Sequence, residues 1–389
     1  MTDAWLSARD ARLRLGVRPQ TLYAYVSRGL LRAEPDPRRP QTSRYRAEDI
    51  ESLAGRRGRS RRRSEVAAGA IAWGEPVLPS AITTIADGRL FYRGRDAAGL
   101  AETETLESVA RLLRGGHGAS LKGLRLPLSA AGTSARERLF SALALRAGAD
   151  APARGRAPLA LAAEAAELLD VVADAAGPPA RAVAALGPSA PIHGRLAAAW
   201  GADDGSDAVR RALVLLADHE LNASTFAARV AASTGASLAA AALAGLAALS
   251  GPLHGGMSAR VENLVEEAER VGPREAVEGR LARAGPIPGF GHPLYPAGDP
   301  RAAALLAAAP PPPHLLALKA AVEGATGQRA NVDFALVCLA HAHRLPADAP
   351  FAIFAVARCA GWLAHAMEQV AEGVLIRPRA RYVGAPPMD

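Results

Sequence analysis

The apolar residues of this sequence are mostly alanine and leucine, and this feature constrains the fold more than any other. Half of the 389 residues are apolar, yet aromatic residues make up only 4% of the chain. Alanine and leucine lose little conformational freedom in a helix, whereas strands favour β-branched and aromatic side chains. A chain of this length also buries a sizeable core and holds two or three domains. The sequence therefore predicts an all-α fold without a large sheet.

The sequence lacks the marks of a membrane or secreted protein. Its longest apolar run, residues 238–249, has 12 residues, whereas about 20 are needed to span a bilayer. The first residues include Asp3 and Asp10 and no apolar segment typical of a targeting peptide. The only two cysteines, Cys338 and Cys359, exclude a disulfide framework and a zinc module built on several thiolates. We therefore expect a cytoplasmic protein with no membrane partner and no metal.

Positive charge is concentrated at the start of the chain. Residues 1–63 hold 16 arginines against 7 acidic residues, a local balance of +9, while the whole chain has a net charge of +8. The rest of the chain is therefore almost neutral, with a balance of −1. A basic first segment on a neutral body predicts that the first segment meets a polyanion and that the body has a different task.

The basic segment has the pattern of several short elements. Residues 7–14 predict a short helix with Ser7 as its N-cap, and residues 18–28 predict a second helix after a tight turn that contains glycine. The stretch 35–46 is rich in proline and arginine and is typical of a wing, and residues 47–53 predict one more short helix. Two short helices joined by a tight turn form a helix-turn-helix.

The stretch LGVRPQTLYAYVSRGLL, followed by SRYRAEDIESL, resembles the DNA-binding head of regulators of the mercury-resistance (MerR) type. The resemblance implies a small winged helix-turn-helix domain over residues 1–54. The basic run that follows, residues 55–64, is either a solvated linker or an arm that contacts phosphates. The residues that the resemblance points to for DNA contact are Arg18, Gln20, Thr21, Tyr23, Arg28 and Arg44.

Several segments of the body place a reactive side chain beside glycines or near the start of a helix. His254 precedes two glycines in GPLHGG, and His292 lies in the loop GFGHPLYPAGDPR. Asp333 lies in the first turn of the apolar helix predicted by NVDFALVCLA, with Asn331 as its cap. His219 lies in LADHELNAST. Each of these side chains, taken singly, also fits a purely structural role.

Arg358 lies within FAIFAVARCAGWLAHAM, a helix that is apolar on nearly every face, so we expect its side chain to be buried. A buried guanidinium needs an anionic partner, because its desolvation costs several kcal/mol. The partner is either an internal acid, for instance Glu368, or the carboxylate of a substrate held in a bidentate clamp. The residue alone leaves both readings open.

The order of these segments resembles that of the citrate synthase family. The chain reads DHE, GPLHGG, GFGH, DPR, NVDF, AR.AGW.AH..EQ and RPR at compatible spacings, and the resemblance covers roughly residues 70–384. It implies a two-domain helical homodimer in which a mobile small domain closes over the substrates. The large domain would comprise residues 65–255 and 346–389, and the small domain would comprise residues 256–345.

The resemblance also implies a role for each residue. Asp333 resembles the base that removes a methyl proton from acetyl-CoA, because a thioester α-proton is only weakly acidic. His254 resembles the neutral imidazole that donates a hydrogen bond to the developing enolate, kept neutral by the dipole of the helix that follows it. His292 resembles the residue that protonates or polarises the carbonyl of oxaloacetate. The residues implied to hold oxaloacetate are His219, Arg301, Arg358 and, reaching in from the partner subunit, Arg377.

Two departures from the family concern coenzyme A and the acyl group. Many relatives have basic residues directly after the loop histidine and three positions later, whereas this chain has Pro293 and Pro296. GPLHGG is followed by residues 257–259, Met-Ser-Ala, in place of the usual Ala-Asn-Glu. A proline after this histidine also occurs among 2-methylcitrate synthases, which keeps propionyl-CoA open as a substrate.

The sequence therefore predicts an enzyme of the citrate synthase type, which condenses acetyl-CoA with oxaloacetate and hydrolyses the product to citrate and CoA. A 2-methylcitrate synthase that uses propionyl-CoA is the first alternative. The second is a regulator in which the body senses a ligand and the basic segment binds DNA. A basic segment that is vestigial or binds protein is a third reading. Acyl-CoA enters as a substrate, and no cofactor is implied.

Overall fold

The computed structural model describes residues 5–15, 17, 22, 25–26, 31–37, 39–51, 78–116, 132–178, 190–283, 286–380 and 382–385. The chain divides into two compact units, Met1–Pro79 and Ser80–Asp389. The division separates the basic segment from the nearly neutral body.

The first unit contains a three-stranded antiparallel sheet. Its elements are β1 (Trp5–Ser7), α1 (Ala8–Leu15), β2 (Ala33–Asp36) and β3 (Arg39–Arg46), and β3 is the central strand of the sheet. Helix α1 begins directly after β1, where the Ser7 hydroxyl accepts the Asp10 amide at 3.2 Å, as the predicted cap requires. A small apolar core joins these elements, and it consists of Ala11, Leu15, Leu22, Leu31, Tyr45 and Ile50.

The β2–β3 hairpin occupies most of the stretch predicted as a wing, and residues 47–51 are helical, as expected. Strand β1, which pairs with β3, was not predicted. Most of the predicted helix over 18–28 lies outside the described residues. Arg44 lies on β3, where its guanidinium pairs with Glu34 and lies 5.1 Å from the ring centroid of Trp5.

The second unit is almost entirely helical, as predicted. It begins with a small antiparallel sheet of β4 (Thr83–Ala86), β5 (Arg89–Tyr92) and β6 (Arg95–Asp96). The helices up to residue 216 are α2 (Ala97–Thr103), α3 (Leu106–Leu113), α4 (Ala135–Ala149), α5 (Pro158–Ala176), α6 (Ile192–Trp200) and α7 (Ser206–Leu216), with a 3-10 helix at Asp203–Gly205. The later helices are α8 (Ala223–Ser233), α9 (Leu238–Leu249), α10 (Met257–Val271), α11 (Pro273–Ala282), α12 (Pro300–Ala308), α13 (Pro313–Thr326), α14 (Val332–Ala342) and α15 (Ala349–Glu372).

Short polar side chains and prolines determine where many of these helices begin. Ser134 and Glu137 form a complete capping box at the start of α4, and the Ser237 hydroxyl accepts the third amide of α9. The last residue of the four-proline run at 310–313, Pro313, is the first residue of α13, a position where the missing amide hydrogen costs nothing.

Helix α15 lies in the main core of the second unit, against α5, α7, α8 and α9. By length and composition alone it could cross a membrane, but 89% of its most apolar window is buried inside the protein. A helix that is apolar on every face fits the core of a large domain equally well. Its burial here explains why Arg358 has almost no contact with solvent, as predicted.

A second, smaller apolar core is formed by residues between Val261 and Cys338. It lies within the stretch predicted as the small domain and joins α10, α11, α13 and α14. Helix α14 takes part in both cores. Its residues Ala335, Leu336 and Leu339 belong to the main core, whereas Phe334 and Val337 belong to the second. The predicted domain boundaries themselves stay a prediction.

The packing of α9 on α15 leads to a first testable prediction. A Cβ atom placed on Gly245 would lie 2.6–2.9 Å from three ring atoms of the buried Trp362. An indole inside a packed core has no room to move aside, so Gly245→Ala is expected to destabilise the protein by about 1–3 kcal/mol. The loss should appear as a lower midpoint of thermal unfolding.

The matched control is Gly148→Ala, in the exposed last turn of α4. No atom lies within 4 Å of the corresponding Cβ position, so only the helix propensity of alanine acts there. That change is expected to stabilise the protein by up to about 1 kcal/mol. Equal midpoints for the two variants would contradict the packing of α9 against Trp362.

Candidate active site

Two of the predicted segments meet through a short backbone bridge. Phe290 pairs antiparallel with Ala330, and the Gly291 amide donates to the Arg329 carbonyl at 2.8 Å. Gly289 and Gly291 have φ values of +83° and +73°, which side chains with a Cβ atom rarely adopt. The two glycines therefore turn the chain so that His292 follows the bridge directly, beside the start of α14.

Asn331 and Asp299 fasten this loop to the first turn of α14. The Asn331 side chain accepts the Asp333 amide at 3.0 Å, as the predicted cap, and donates to the Gly291 carbonyl at 3.1 Å. The Asp299 carboxylate accepts the Val332 amide at 3.1 Å. Both ends of the loop are thus held to the helix that carries Asp333.

His292 has a defined tautomer in this loop. Its Nδ1 accepts the Leu294 amide at 3.2 Å, so a neutral ring carries its proton on Nε2. Burial, together with the charge of Arg301, lowers the pKa of His292 to about 4. The side chain is therefore a neutral N–H donor at ordinary pH.

Arg301 is buried against an acid of its own loop. Its guanidinium makes two hydrogen bonds to the Asp299 carboxylate, at 2.9 and 2.8 Å, and its side chain is only 4% exposed. Burial alone would raise the pKa of Asp299, but the adjacent guanidinium outweighs it and lowers that pKa. The pair keeps a cation fixed in the interior, 5.4 Å from the ring centroid of Tyr295.

His219 lies just beyond the end of α7, on a turn that buried side chains hold in place. Tyr92 donates its hydroxyl hydrogen toward the carbonyls of Val214 and Leu215, each 3.0 Å away. The Nε of Arg358 donates to the next carbonyl, that of Leu216, also at 3.0 Å. These bonds satisfy the last carbonyls of α7, which would otherwise lack partners.

The ring of His219 meets the His292 loop. Its centroid lies 5.3 Å from that of His292, and its Nε2 lies 2.9 Å from the hydroxyl oxygen of Tyr295. Burial and the charges of Arg301 and Arg358 lower the pKa of His219 well below its usual range. The ring is therefore neutral.

Arg358 is not paired with Glu368, which contacts Arg229 instead. Among the described residues, the guanidinium of Arg358 has no carboxylate within 4.0 Å, and its buried Nη2 has no hydrogen-bond partner. Its carbon Cζ lies 5.0 Å from the ring centroid of Phe354, one turn earlier on α15. Burial lowers the pKa of Arg358 to about 10, which still leaves a cation at neutral pH. The salt bridge between Arg358 and Glu368, one of the two partners considered from the sequence, is therefore wrong.

His254 lies in a tight turn before α10 and contacts a polar group on α8. Its Nε2 lies 2.8 Å from the Ser224 hydroxyl oxygen, which also accepts the Trp362 indole N–H at 3.1 Å. Its ring stands edge-on to Phe354, with 5.7 Å between the ring centroids. The single hydroxyl proton of Ser224 has two candidate acceptors, Oδ1 of Asn222 at 2.7 Å and Nε2 of His254, so Nε2 either receives that proton or donates its own to the hydroxyl oxygen.

The expected neutrality of His254 has a different cause from the one predicted. Its pKa is lowered to about 3, first by burial and then by the charges of Arg358 and Arg301. Helix α10 begins only at Met257, three residues after the histidine. Burial between two cations, rather than the helix dipole, therefore keeps this imidazole neutral.

Asp333 has the properties of a base poised near neutral pH. Burial raises the pKa of its carboxyl group to about 7, against the opposing effect of Arg301. Its Oδ1 is buried and has no hydrogen-bond partner in the part of the chain that the structure describes. A carboxylate with a raised pKa and a free oxygen is suited to remove a proton from carbon.

The structure brings together six of the seven residues predicted for substrate chemistry. One set of contacts runs from His219 and His292 through Tyr295 to Arg301, and from there through Asp299 to the start of α14, which carries Asp333. A second set of contacts joins His254 to Phe354 and Phe354 to Arg358. Arg377 is not among them. It lies exposed in the non-helical segment after α15. Of the predicted DNA contacts, only Arg44 falls within the described residues.

Four residues of this region were not predicted as site residues: Tyr295, Asp299, Ser224 and Phe354. The sequence does contain a pattern that could have identified Asp299. In Asp-Pro-Arg, the aspartate is a typical N-cap, and it lies two residues before an arginine in the first turn of the helix. Phe354 precedes Arg358 by one helical turn. Among the described residues, no group of three or more His, Cys, Asp or Glu side chains is arranged to hold a metal ion.

Comparison with known proteins places most of the chain in a defined group. The family "Citrate synthase, C-terminal domain" matches residues 71–379. "Putative citrate synthase 2" of Mycobacterium tuberculosis strain H37Rv is 42% identical over 187 residues, which is 45% of this chain and 50% of the relative. The "2-methylcitrate synthase" of Shewanella oneidensis is 36% identical over 186 residues, 45% of this chain and 50% of the relative. The chain thus spans about half the length of the curated relatives it matches.

Solved structures support the same grouping over a longer stretch. Citrate synthase from Thermotoga maritima aligns with 81% of this chain and 96% of its own, at 25% identity and a TM-score of 0.64. A ternary complex of citrate synthase from Thermoplasma acidophilum with carboxymethyl coenzyme A and oxaloacetate aligns with 81% and 95%, at 24% identity and a TM-score of 0.66. The similarity to the Thermoplasma structure is evidence for a shared fold alone.

Proposed function

This chain belongs to the citrate synthase family, and on that premise we propose that it condenses acetyl-CoA with oxaloacetate and hydrolyses the product to citrate and CoA. Such an enzyme is an acyltransferase that converts the acyl group into an alkyl group on transfer. One observation carries the proposal. The neutral histidines His254 and His292 and the Asp333 carboxyl group, whose pKa is about 7, all lie close enough to the buried Arg301 cation for its charge to act on their pKa values.

The first step proposed is removal of a methyl proton from the acyl-CoA. Asp333 takes the proton through its unpartnered Oδ1, and the electrons of the C–H bond move to the thioester carbonyl. His254 stabilises the resulting enolate with an N–H from Nδ1. That donor is available when the Ser224 hydroxyl turns its proton from Oδ1 of Asn222, 2.7 Å away, to Nε2 of His254, 2.8 Å away.

The second step forms the carbon–carbon bond. The enolate carbon attacks the ketone carbon of oxaloacetate, and the ketone oxygen receives the Nε2 proton of His292. Arg301, Arg358 and His219 hold the two carboxylates of oxaloacetate, and the buried cations offset their charge. Water then hydrolyses the thioester, which releases the CoA thiol and leaves a new carboxylate.

We place Arg377 in the active site of a second subunit of a homodimer. Its position supports this, because it lies exposed in a non-helical segment beside the exposed apolar side chains of Val374 and Leu375. Exposed apolar side chains are suited to contact a neighbouring protein surface. Both cysteines are buried and unpaired, which suits the reducing cytoplasm expected from the sequence.

The test is release of free thiol from purified full-length protein. We expect release that requires both oxaloacetate and an acyl-CoA, because the hydrolysed thioester forms only after condensation. Thiol release without oxaloacetate would indicate a thioesterase and contradict the proposal.

The ratio of the thiol-release rates with acetyl-CoA and propionyl-CoA decides between a citrate synthase and a 2-methylcitrate synthase. Pro293 and the similarity to the Shewanella enzyme favour the second of these alternatives.

A second function is favoured by the charge of the first 63 residues, +9. We propose that this segment binds DNA as a winged helix-turn-helix, and the β2–β3 hairpin at the predicted wing supports the assignment. Binding of the full chain to a labelled palindromic duplex should weaken steeply between 50 and 200 mM salt, by roughly 10-fold or more, as counterion release requires. Absence of binding at the lower salt concentration would contradict it.

A further inference from the structure

Tyr295 lies where three of the residues predicted for oxaloacetate meet. Its hydroxyl oxygen is 2.9 Å from the Nε2 of His219, and its ring centroid is 4.9 Å from that of His292. The guanidinium carbon of Arg301 lies 5.4 Å from the same ring. The side chain is buried, with 2% of the residue exposed. A single tyrosine thus contacts the side chains that line the proposed substrate site.

The direction of its hydrogen bond follows from the burial. Among the described residues, His219 is the only hydrogen-bond partner of the Tyr295 hydroxyl. Burial raises the pKa of Tyr295 to about 12, so the hydroxyl keeps its proton. A buried hydroxyl proton without an acceptor is costly, so this proton is donated to Nε2 of His219. Nε2 therefore carries no proton of its own.

The remaining proton of the His219 ring must then lie on Nδ1. The ring is neutral, because burial and two nearby guanidinium groups disfavour the imidazolium ion. Nδ1 has no hydrogen bond to any described residue, so its N–H is available to an external acceptor. A neutral ring with the proton on Nε2 would instead present a lone pair at Nδ1, which repels a carboxylate.

We propose that Tyr295 is a positioning residue that fixes the tautomer of His219, so that Nδ1–H points its proton toward a carboxylate of oxaloacetate. This inference rests on the proposed function. It extends that function, because it gives the loop of His292 a part in substrate binding as well as in protonation. The same phenol contacts His219, His292 and Arg301.

The test is Tyr295→Phe in the full-length protein, with oxaloacetate binding measured by calorimetry in the absence of acyl-CoA. Phenylalanine keeps the ring contacts with His292 and Arg301 and removes only the hydroxyl. We expect the dissociation constant of oxaloacetate to rise about five- to tenfold, the value of one well-aligned hydrogen bond. The KM for acyl-CoA should stay unchanged, and the unfolding midpoint should fall only by the amount that loss of one buried hydrogen bond explains.

A second variant, His219→Asn, completes a double-mutant cycle. If Tyr295 acts through His219, then Tyr295→Phe should change the affinity for oxaloacetate by less than about twofold in the His219→Asn background. An equal factor in both backgrounds would overturn the inference. Failure of the wild-type protein to bind oxaloacetate would contradict the proposed function and this inference together, whereas equal binding by the wild type and Tyr295→Phe would contradict the inference alone.

Discussion

Replacing Asp333 by asparagine is expected to lower the rate of thiol release by about 10²–10⁴-fold and, at the same time, to stabilise the protein. The amide keeps the shape of the carboxyl group but cannot accept a proton from carbon. Acyl-CoA and oxaloacetate should still bind, because the arginines and histidines are untouched. The rate loss should therefore appear in kcat, measured under saturating substrates.

The gain in stability follows from the raised pKa. A carboxyl group whose pKa is about 7 in the folded state and near 3.8 in the unfolded chain binds its proton more tightly when folded. The folded state is therefore penalised as the pH rises above 3.8, and the penalty is complete above pH 7. It is on the order of 2–4 kcal/mol at pH 8.5 and smaller at pH 5. The change Asp333→Asn removes this penalty, so the unfolding midpoint should rise more at pH 8.5 than at pH 5.

Asp348→Asn is the matched control, because both aspartates lie at the start of a helix. Asp348 immediately precedes α15, and Asp333 lies in the first turn of α14. Its carboxylate accepts the Ala135 amide at 2.6 Å, so its loss should lower the unfolding midpoint while thiol release is retained. The prediction for Asp333 would be wrong if its asparagine variant kept the wild-type rate. A lower midpoint at pH 8.5 would contradict the raised pKa.

Arg358→Met is expected to weaken oxaloacetate binding without harming the fold. Losing a buried cation that pairs with a substrate carboxylate costs about 2–5 kcal/mol, or roughly 30- to several-thousand-fold in affinity. Among the described residues, the guanidinium has one backbone acceptor, the Leu216 carbonyl, and its Nη2 has no hydrogen-bond partner. An apolar side chain of similar length should therefore leave stability unchanged or raise it by about 1–4 kcal/mol.

Arg229→Met provides the contrast, because Arg229 is an equally buried arginine with internal acidic partners. Its guanidinium contacts Glu368 at 2.6 Å, Glu372 at 2.9 Å and the side chain of Gln369 at 2.8 Å. Removing it leaves two acids without their cation, which is expected to cost about 3–5 kcal/mol. Calorimetric titration with oxaloacetate and thermal unfolding of both variants give the two readouts. Equal destabilisation by the two changes would contradict the assignment of Arg358 to substrate.

The sequence predicted the helical class and the chemistry of the body because both depend on residue type and spacing. Four distant segments carry His254, His292, Asp333 and Arg358, and the sequence associates them only because the order of these segments resembles that of a known family. Burial of Arg358 followed from the apolar faces of its helix alone. These predictions needed no knowledge of side-chain contacts.

The hydrogen-bond and ion-pair partners of these residues could not be predicted from residue type and spacing. Glu368, one candidate partner of Arg358 on the same helix, contacts Arg229 of another helix, and spacing along one helix does not reveal that competition. The contact of Tyr295 with His219 joins positions 76 residues apart. The neutrality of His254 was predicted, but its cause depends on burial near Arg358 and Arg301, which only the packed structure supplies.

Helix α14 is anchored on opposite sides in two separate apolar cores, and its first turn carries Asp333. Close-packed faces transmit displacement rather than absorb it, so any shift of one core relative to the other must carry this helix with it. Proton abstraction depends steeply on the separation of the reacting atoms. In the proposed mechanism, the reaction rate is therefore sensitive to the spacing between the cores, and pressure that alters this spacing should slow turnover before the protein unfolds.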